Sequence, residues 1–496
     1  MSGATIIPFQ PHLPQALPTI AGNLDYREFR DQLLAVADLL RHSGLETRFL
    51  AQDLQRWLAG HKKATAKAQQ NHELHSQRAL RCQIARTLLQ EDYRGFAARL
   101  ADSPLLQHFC GLDRIDLIKV PSKSTLQRYD FWWPETEVRQ LLCELLGQGA
   151  SEPATLHLPE PVDLESVFLD TTCLAAPIHY PVDWVLLRDA TRTLMKAVSL
   201  IREQGLKARM PAPESFISRI NKLCIAMTQA SRKDAQQSQR QRKKTFRQMD
   251  RLVGTVRAHA QRYRQRLDQD WEQTQWTRPQ AEQVLRRMDQ VLDQLPQARA
   301  QARQRILAEQ PVANAEKILS LYEPEVRVIV RRKPGAEVEF GNTLLLAENS
   351  QGLIVDWELF RESAPADAQL LPGSVGRLER IYGQVPKAIA TDRGFDNEVN
   401  RAGLAAEGIY NAVCPRDPKQ RRQRSRAGKF KRLQKRRAQT EGRIGILKNA
   451  FLGPALRSKG LAHRSLMLTW TVLTHNLWVL VRLGRAAVAE QPRAAA

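Results

Sequence analysis

Cysteine is scarce and scattered in this chain of 496 residues: six in all, at positions 82, 110, 143, 173, 224 and 414, without a C-x-x-C pair. That spacing excludes a zinc ribbon and a disulfide framework, and the six read as reduced thiols of the core. A secretory leader is not evident either. Met1-Ser2-Gly3-Ala4-Thr5-Ile6-Ile7-Pro8 has no basic run ahead of an apolar one, so a cytoplasmic location is expected. Long apolar runs are nearly absent. Leu466 to Val481 comes nearest, but it is short for a span and carries Thr469, Thr471, Thr474, His475 and Asn476, which predicts a buried helix.

Acids are in the minority. Against 75 Lys and Arg there are 52 Asp and Glu, a net charge of +23 and a pI of 10.1, the balance of a polyanion binder. The 43% hydrophobic content suffices for real cores, and the length predicts two or three domains.

Three of the few acids stand in informative places. Val385-Pro386-Lys387-Ala388-Ile389-Ala390-Thr391-Asp392-Arg393-Gly394 reads as a short buried strand that stops at Asp392. Ser166-Val167-Phe168-Leu169-Asp170-Thr171-Thr172 repeats the pattern, an apolar run terminated by an acid. Glu441 lies in a cationic helical stretch that begins near Arg437. Each has an ordinary alternative: Asp392 suits a turn, and Glu441 suits pairing with basic neighbours along its helix. Together the three form a donor set for divalent cations, which prefer carboxylate and phosphate oxygens.

At these residues the chain resembles the DDE transposases of bacterial insertion sequences. Leu169-Asp170-Thr171-Thr172 matches the first acid, Thr391-Asp392-Arg393-Gly394-Phe395-Asp396-Asn397 the second, and Arg437, Glu441 and Lys448 the last, with the family's spacing. Gln434 stands where that signature has Tyr. Ile178-His179-Tyr180-Pro181 and the long gap after Asp170 look most like the ISNCY group.

The resemblance implies an α+β or α/β chain: an all-α amino-terminal domain, then an RNase H-like mixed-sheet catalytic domain with a large helical insertion. It implies Asp170, Asp392 and Glu441 as catalytic and metal-holding residues, and two Mg2+ ions, with Mn2+ as a substitute. The expected activity is cleavage at insertion-sequence ends and transfer of the 3′-hydroxyl into target DNA. Rivals with the same residues are a metal-dependent nuclease without strand transfer and a domesticated, non-catalytic DNA-binding regulator. The expected partners are double-stranded DNA, as terminal inverted repeats and target, and further copies of the chain as a dimer or higher oligomer. The expected location becomes cytoplasmic and nucleoid-associated. Arg437, Arg443 and Lys448 are expected to touch DNA.

In chain order, residues 1–23 read as a flexible tail and 24–155 as a helical DNA-binding domain, with Leu80, Ile84 and Leu88 on one buried face. Ser122 or Ser124 caps a short helix that turns Lys123, Gln127 and Arg128 outward, which suits groove or phosphate contact and equally an ordinary solvated helix. Trp132-Trp133-Pro134 reads as core or a helix stop. A Gly, Pro and Ser-rich stretch from Gly147 to Pro161 marks the boundary before a catalytic domain at 156–485. Residues 183–313 lack strand pattern and read as a helical insertion. No Gly or Pro falls between Glu214 and Val253, which allows one long helix, and Pro279, Pro296 and Pro311 divide the remainder of the insertion. The basic run from Arg240 to Arg247, with Arg242, Lys243 and Lys244, suits a phosphate backbone or a solvated face. Strands are expected at Val326–Val330, Thr343–Ala347, Leu353–Leu359 and Gly408–Val413, with a hairpin through Asn349-Ser350-Gln351-Gly352. The densest cationic tract, Pro415 to Arg437, leads into the Glu441 helix, and 486–496 reads as a second flexible tail.

Overall fold

The computed structural model describes residues 17–112, 118–231, 236–333, 336–453 and 458–490. Most of the expected tail at 1–23 and of that at 486–496 lies outside these residues. The chain opens with helices α1 (Leu24–His42), α2 (Leu45–Gly60), α3 (Ala66–Leu89), α4 (Tyr93–Asp102), α5 (Pro104–Phe109), α6 (Lys123–Tyr129) and α7 (Glu135–Ser151). Strand β1 (Ser166–Ala175) follows, then helices α8 (Asp183–Glu203), α9 (Pro213–Ser231), α10 (Gln236–Asp270) and α11 (Arg278–Ile306). Strands return as β2 (Arg327–Lys333), β3 (Ala336–Asn349) and β4 (Ile354–Leu359). The order then runs α12 (Asp367–Tyr382), β5 (Ala388–Ala390), α13 (Glu398–Ala406), β6 (Tyr410–Asn411), α14 (Pro418–Arg424), α15 (Gly428–Ile446) and α16 (Leu461–Glu490).

The strands make one mixed sheet in the order β2-β3-β1-β5-β6, with β4 paired to β3. β1 runs antiparallel to β3 and parallel to β5, and β5 runs parallel to β6. The expected hairpin is the antiparallel β3-β4 pair. One expectation about β1 fails: Asp170 does not end the strand but sits in its middle. The residues after it, Thr171-Thr172-Cys173-Leu174, are β-branched or apolar and continue the ladder against β3 as far as Ala175 opposite Gly341. Gly341 permits that approach, because a Cβ there would lie 2.1 Å from the carbonyl oxygen of Leu174.

The amino-terminal helices and the sheet share one apolar core. Phe49, Trp133, Leu142, Leu346, Trp357, Ile389 and Trp470 all belong to it. Its centre is α16, whose buried Trp470 stacks on Phe49 with ring centroids 5.9 Å apart. Leu461–Ala486 is apolar enough to span a membrane by composition, yet 78% of its most apolar window is buried, as expected for a core helix. The stretch from Gly147 to Pro161, where the domain boundary is expected, is closely packed. α7 continues to Ser151, the Val162 amide donates to the Gly149 carbonyl oxygen, and a Cβ on Gly149 would meet Val162 at 2.7 Å.

Helices α8 to α11 form a second core of their own, including Leu187, Met195, Phe246, Val253, Tyr263 and Val291. Between Glu214 and Val253 the described residues fall into two helices, α9 and α10, and α10 continues through Gly254 to Asp270. Pro279 opens α11, but Pro296 does not divide it. The missing hydrogen bond is outweighed where flanking Val291, Leu295, Ala298 and Ala302 are all buried in one seam. The cysteines are free, with five buried and Cys414 half-buried.

Candidate active site

β5 ends as its apolar residues run out, and Asp392 follows buried Thr391 at the strand's carboxyl end. The Asp392 carboxylate accepts the Gly394 amide at 2.8 Å and so caps a short 3-10 turn, Arg393–Phe395. The turn role and the strand-end position are thus both present. On β1, alternation puts Phe168, Asp170 and Thr172 on one face, and α15 packs on that face. The Arg436 guanidinium lies 4.9 Å from the Phe168 ring centre, and Arg437 reaches to 3.9 Å from the Asp170 carboxylate.

Two adjacent stripes of α15 divide the work, since residues three, four and seven apart share a helix face. Arg436, Thr440 and Arg443 all converge on Glu348 of β3, which is fully buried, with Arg436 at 2.9 Å, Thr440 at 2.8 Å and Arg443 at 3.2 Å. Gln434, Arg437 and Glu441 make the neighbouring stripe. Gln434 Nε2 donates to the Thr391 carbonyl oxygen at 3.0 Å and also to that of Ala412. Glu441 is exposed.

The fold brings Asp392 and Glu441 within electrostatic range of Asp170. Burial pushes the Asp170 carboxyl up to about 6, and the negative charges of Asp392 and Glu441 add to the rise. The Thr171 amide and the Arg437 guanidinium oppose it. Carboxylates from after β5 and from α15 therefore act on the one on β1 across large sequence separations. Carboxylate oxygens are the donors that a hard divalent cation prefers. Among the described residues no group of three His, Cys, Asp or Glu side chains is drawn close enough to hold a metal ion unaided.

Other acids near these in sequence have structural partners. Asp356 is fully buried between Arg139, Arg377 and Ser374. Asp396 is held by Arg401 and by the Arg416 amide, and Asp183 by Arg305 and Gln301. Asp367, not singled out in the sequence, accepts the Thr171 hydroxyl at 3.0 Å. A Cβ on Gly394 would lie 2.8 Å from the Asp367 carboxylate and 3.0 Å from that of Asp392.

The chain matches no family model, no curated protein and no solved structure.

The expected DNA-contacting residues are placed unevenly. Ser122 caps α6, Leu126 and Tyr129 bury one side, and Lys123, Gln127 and Arg128 face solvent. In α10, Lys244 is exposed, Arg242 is half-buried, and Lys243 pairs with Glu309 at 2.7 Å. Arg443 is turned inward to Glu348, and Lys448 donates to the Cys173 carbonyl oxygen at 2.8 Å from a π-helical turn, Leu447–Leu452. Trp133 is fully buried against Phe49 and Trp470, in line with its reading as core.

Proposed function

We propose that this chain is a DNA transposase of the DDE type with an RNase H-like catalytic domain, in which Asp170, Asp392 and Glu441 hold two Mg2+ ions. The observation that carries the reading is the raised Asp170 carboxyl, lifted in part by Asp392 and Glu441 although 222 and 49 residues separate the three in sequence. A mixed sheet followed by the Glu441 helix packed across β1 is the order that the resemblance implies. Mutual repulsion among acids is what a bound cation removes, and the ion in turn supplies stabilisation of attacking and leaving oxygens during in-line displacement at phosphorus.

The chain's own residues have separable tasks. Asp392 is fixed by the Gly394 amide at the strand end, so it presents its other carboxylate oxygen from a rigid backbone. Arg437 puts a positive charge beside Asp170 and is suited to a phosphate of the DNA end. The tract from Arg416 to Lys435 supplies exposed cations next to the acids, which neutralise phosphates and release counterions.

Replacing Asp392 with Asn tests the reading. Mg2+-dependent cleavage at an insertion-sequence end should be lost while binding of the end-containing duplex is retained. Cleavage that survives the substitution sinks the assignment. A strand-transfer assay on the wild type, with linear ends, separates a transposase from a nuclease.

A further inference from the structure

Helix α10 carries a straight line of cations on its solvent face. Arg240, Lys244, Arg247, Arg251 and Arg262 are all exposed, as are Thr255 and Ala258, which complete the same stripe. The steps of four, three, four, four, three and four residues keep it on one side of a 3.6-residue helix. Directly opposite, Phe246, Met249, Val253, Val256, Ala260, Tyr263 and Leu267 are buried in the core of the inserted helices. The stripe therefore has a fixed direction and a length of about 33 Å at 1.5 Å per residue.

The line is not a self-bridged surface. Among the described residues none of the five cations is ion-paired. Arg240 with Lys244, Lys244 with Arg247, and Arg247 with Arg251 are like-charge neighbours at helical contact spacing, which destabilises a helix left bare. Several other basic residues of the same bundle are ion-paired: Lys243 with Glu309, Arg264 with Asp289, Arg299 and Arg303 with Asp250, and Arg305 with Asp183. Across residues 183–313, Lys and Arg outnumber Asp and Glu two to one. An unpaired row of five on one straight helix face is complementary to a polyanion with a long, regular charge repeat.

We propose that the outer face of α10 is a second nucleic-acid surface, apart from the acid site, which lies along the phosphate backbone of double-stranded DNA. The inference rests on the reading of the chain as a DNA-binding enzyme. Arg242 and Lys243 are half-buried and lie off this stripe, so the contact falls to Arg240, Arg247, Arg251 and Arg262 beside Lys244. Contact is to phosphates and carries no base sequence, so this face adds affinity and orientation rather than recognition of an end.

The test uses the full chain in two triple-charge comparisons. Lys244→Gln, Arg247→Gln and Arg251→Gln together remove three stripe charges. The control, Arg286→Gln, Arg287→Gln and Arg219→Gln, removes three exposed cations from other faces of the same bundle. Affinity for a duplex without insertion-sequence ends is measured from about 50 to about 300 mM salt, a roughly sixfold range around physiological strength, with circular dichroism as the folding check. The stripe variant should lower the slope of log affinity against log salt by about 2.7, at roughly 0.9 for each phosphate no longer neutralised, and the control by much less. Equal slopes for the two variants overturn the proposal even if cleavage still depends on Asp392. Wild-type protein that binds no duplex at any salt concentration overturns it together with the functional reading.

Discussion

Gln434 and Thr391 are joined by a hydrogen bond of 3.0 Å from the side-chain amide to the backbone carbonyl oxygen, one residue before Asp392. The same nitrogen reaches the Ala412 carbonyl oxygen, so one side chain on α15 pins the ends of β5 and β6. Because Glu441 lies on the same stripe of α15, this contact sets where the third acid stands relative to the second.

Gln434→Leu should therefore lower stability by about 1–2 kcal/mol, the net loss of one or two hydrogen bonds, and reduce Mg2+-dependent cleavage more than DNA binding. Gln434→Tyr introduces the residue found in the resembling family, but a phenol has a single donor for two carbonyls. It should also be less stable than the wild type in urea, and equal stability would show that the second bond contributes nothing.

Asp170 should make stability fall as pH rises. Its folded carboxyl, held at about 6 against an ordinary 3.8, binds a proton more tightly than the unfolded chain does. The contribution is fully present below about 4 and is lost as pH rises through 6. Asp170→Asn should accordingly stabilise the protein at pH 7.5 by up to about 3 kcal/mol, at roughly 1.4 kcal/mol for each pH unit between the folded and unfolded values, and have little effect at pH 4. Urea midpoints at the two pH values check this. Millimolar Mg2+ should raise the wild-type midpoint at pH 7.5 and leave that of Asp170→Asn nearly unchanged.

His475 acts in the other direction. Burial in α16 lowers its imidazole to about 4, with Arg443 and Arg482 lowering it further and Asn476 opposing them. Its contribution is complete above the unfolded value of 6.5 and is lost as pH falls toward 4. Unfolding midpoints of His475→Gln should decline less than those of the wild type between pH 6.5 and 4.5, where the difference accumulates at about 1.4 kcal/mol per pH unit. A parallel decline would assign acid sensitivity to other groups.

Glu348 holds Arg436 and Arg443 at a fully buried position. Glu348→Ala leaves two guanidinium groups facing each other without a counter-charge and should cost about 3–5 kcal/mol. Since α15 carries the third acid, loss of cleavage should accompany the drop in denaturation midpoint. Arg443→Ala tests the inward orientation of that side chain: it should change stability more than the salt dependence of DNA binding.

What the sequence determined by itself is mostly local. The end of β5 just before Asp392, the β3-β4 hairpin, a serine cap at Ser122 or Ser124 and the buried run of α16 follow from short-range chemistry: apolar alternation, turn residues and a hydroxyl that can accept an amide. Spacing also placed Arg437 and Glu441 on one helix face. Tertiary structure decided the rest. Asp170 lies inside a strand because β3 supplies a pairing edge beyond it, a partner more than a hundred residues away. Pro296 stays within a helix because packing on both sides outweighs one lost bond. Arg443 and Lys243 turned out to be structural ion-pair partners, while Arg251 and Arg262 joined the exposed line, because which side of a helix meets a core depends on neighbours that composition does not name. The influence of Asp392 and Glu441 on Asp170 is of the same kind, since charges far apart along the chain interact only after folding brings them close.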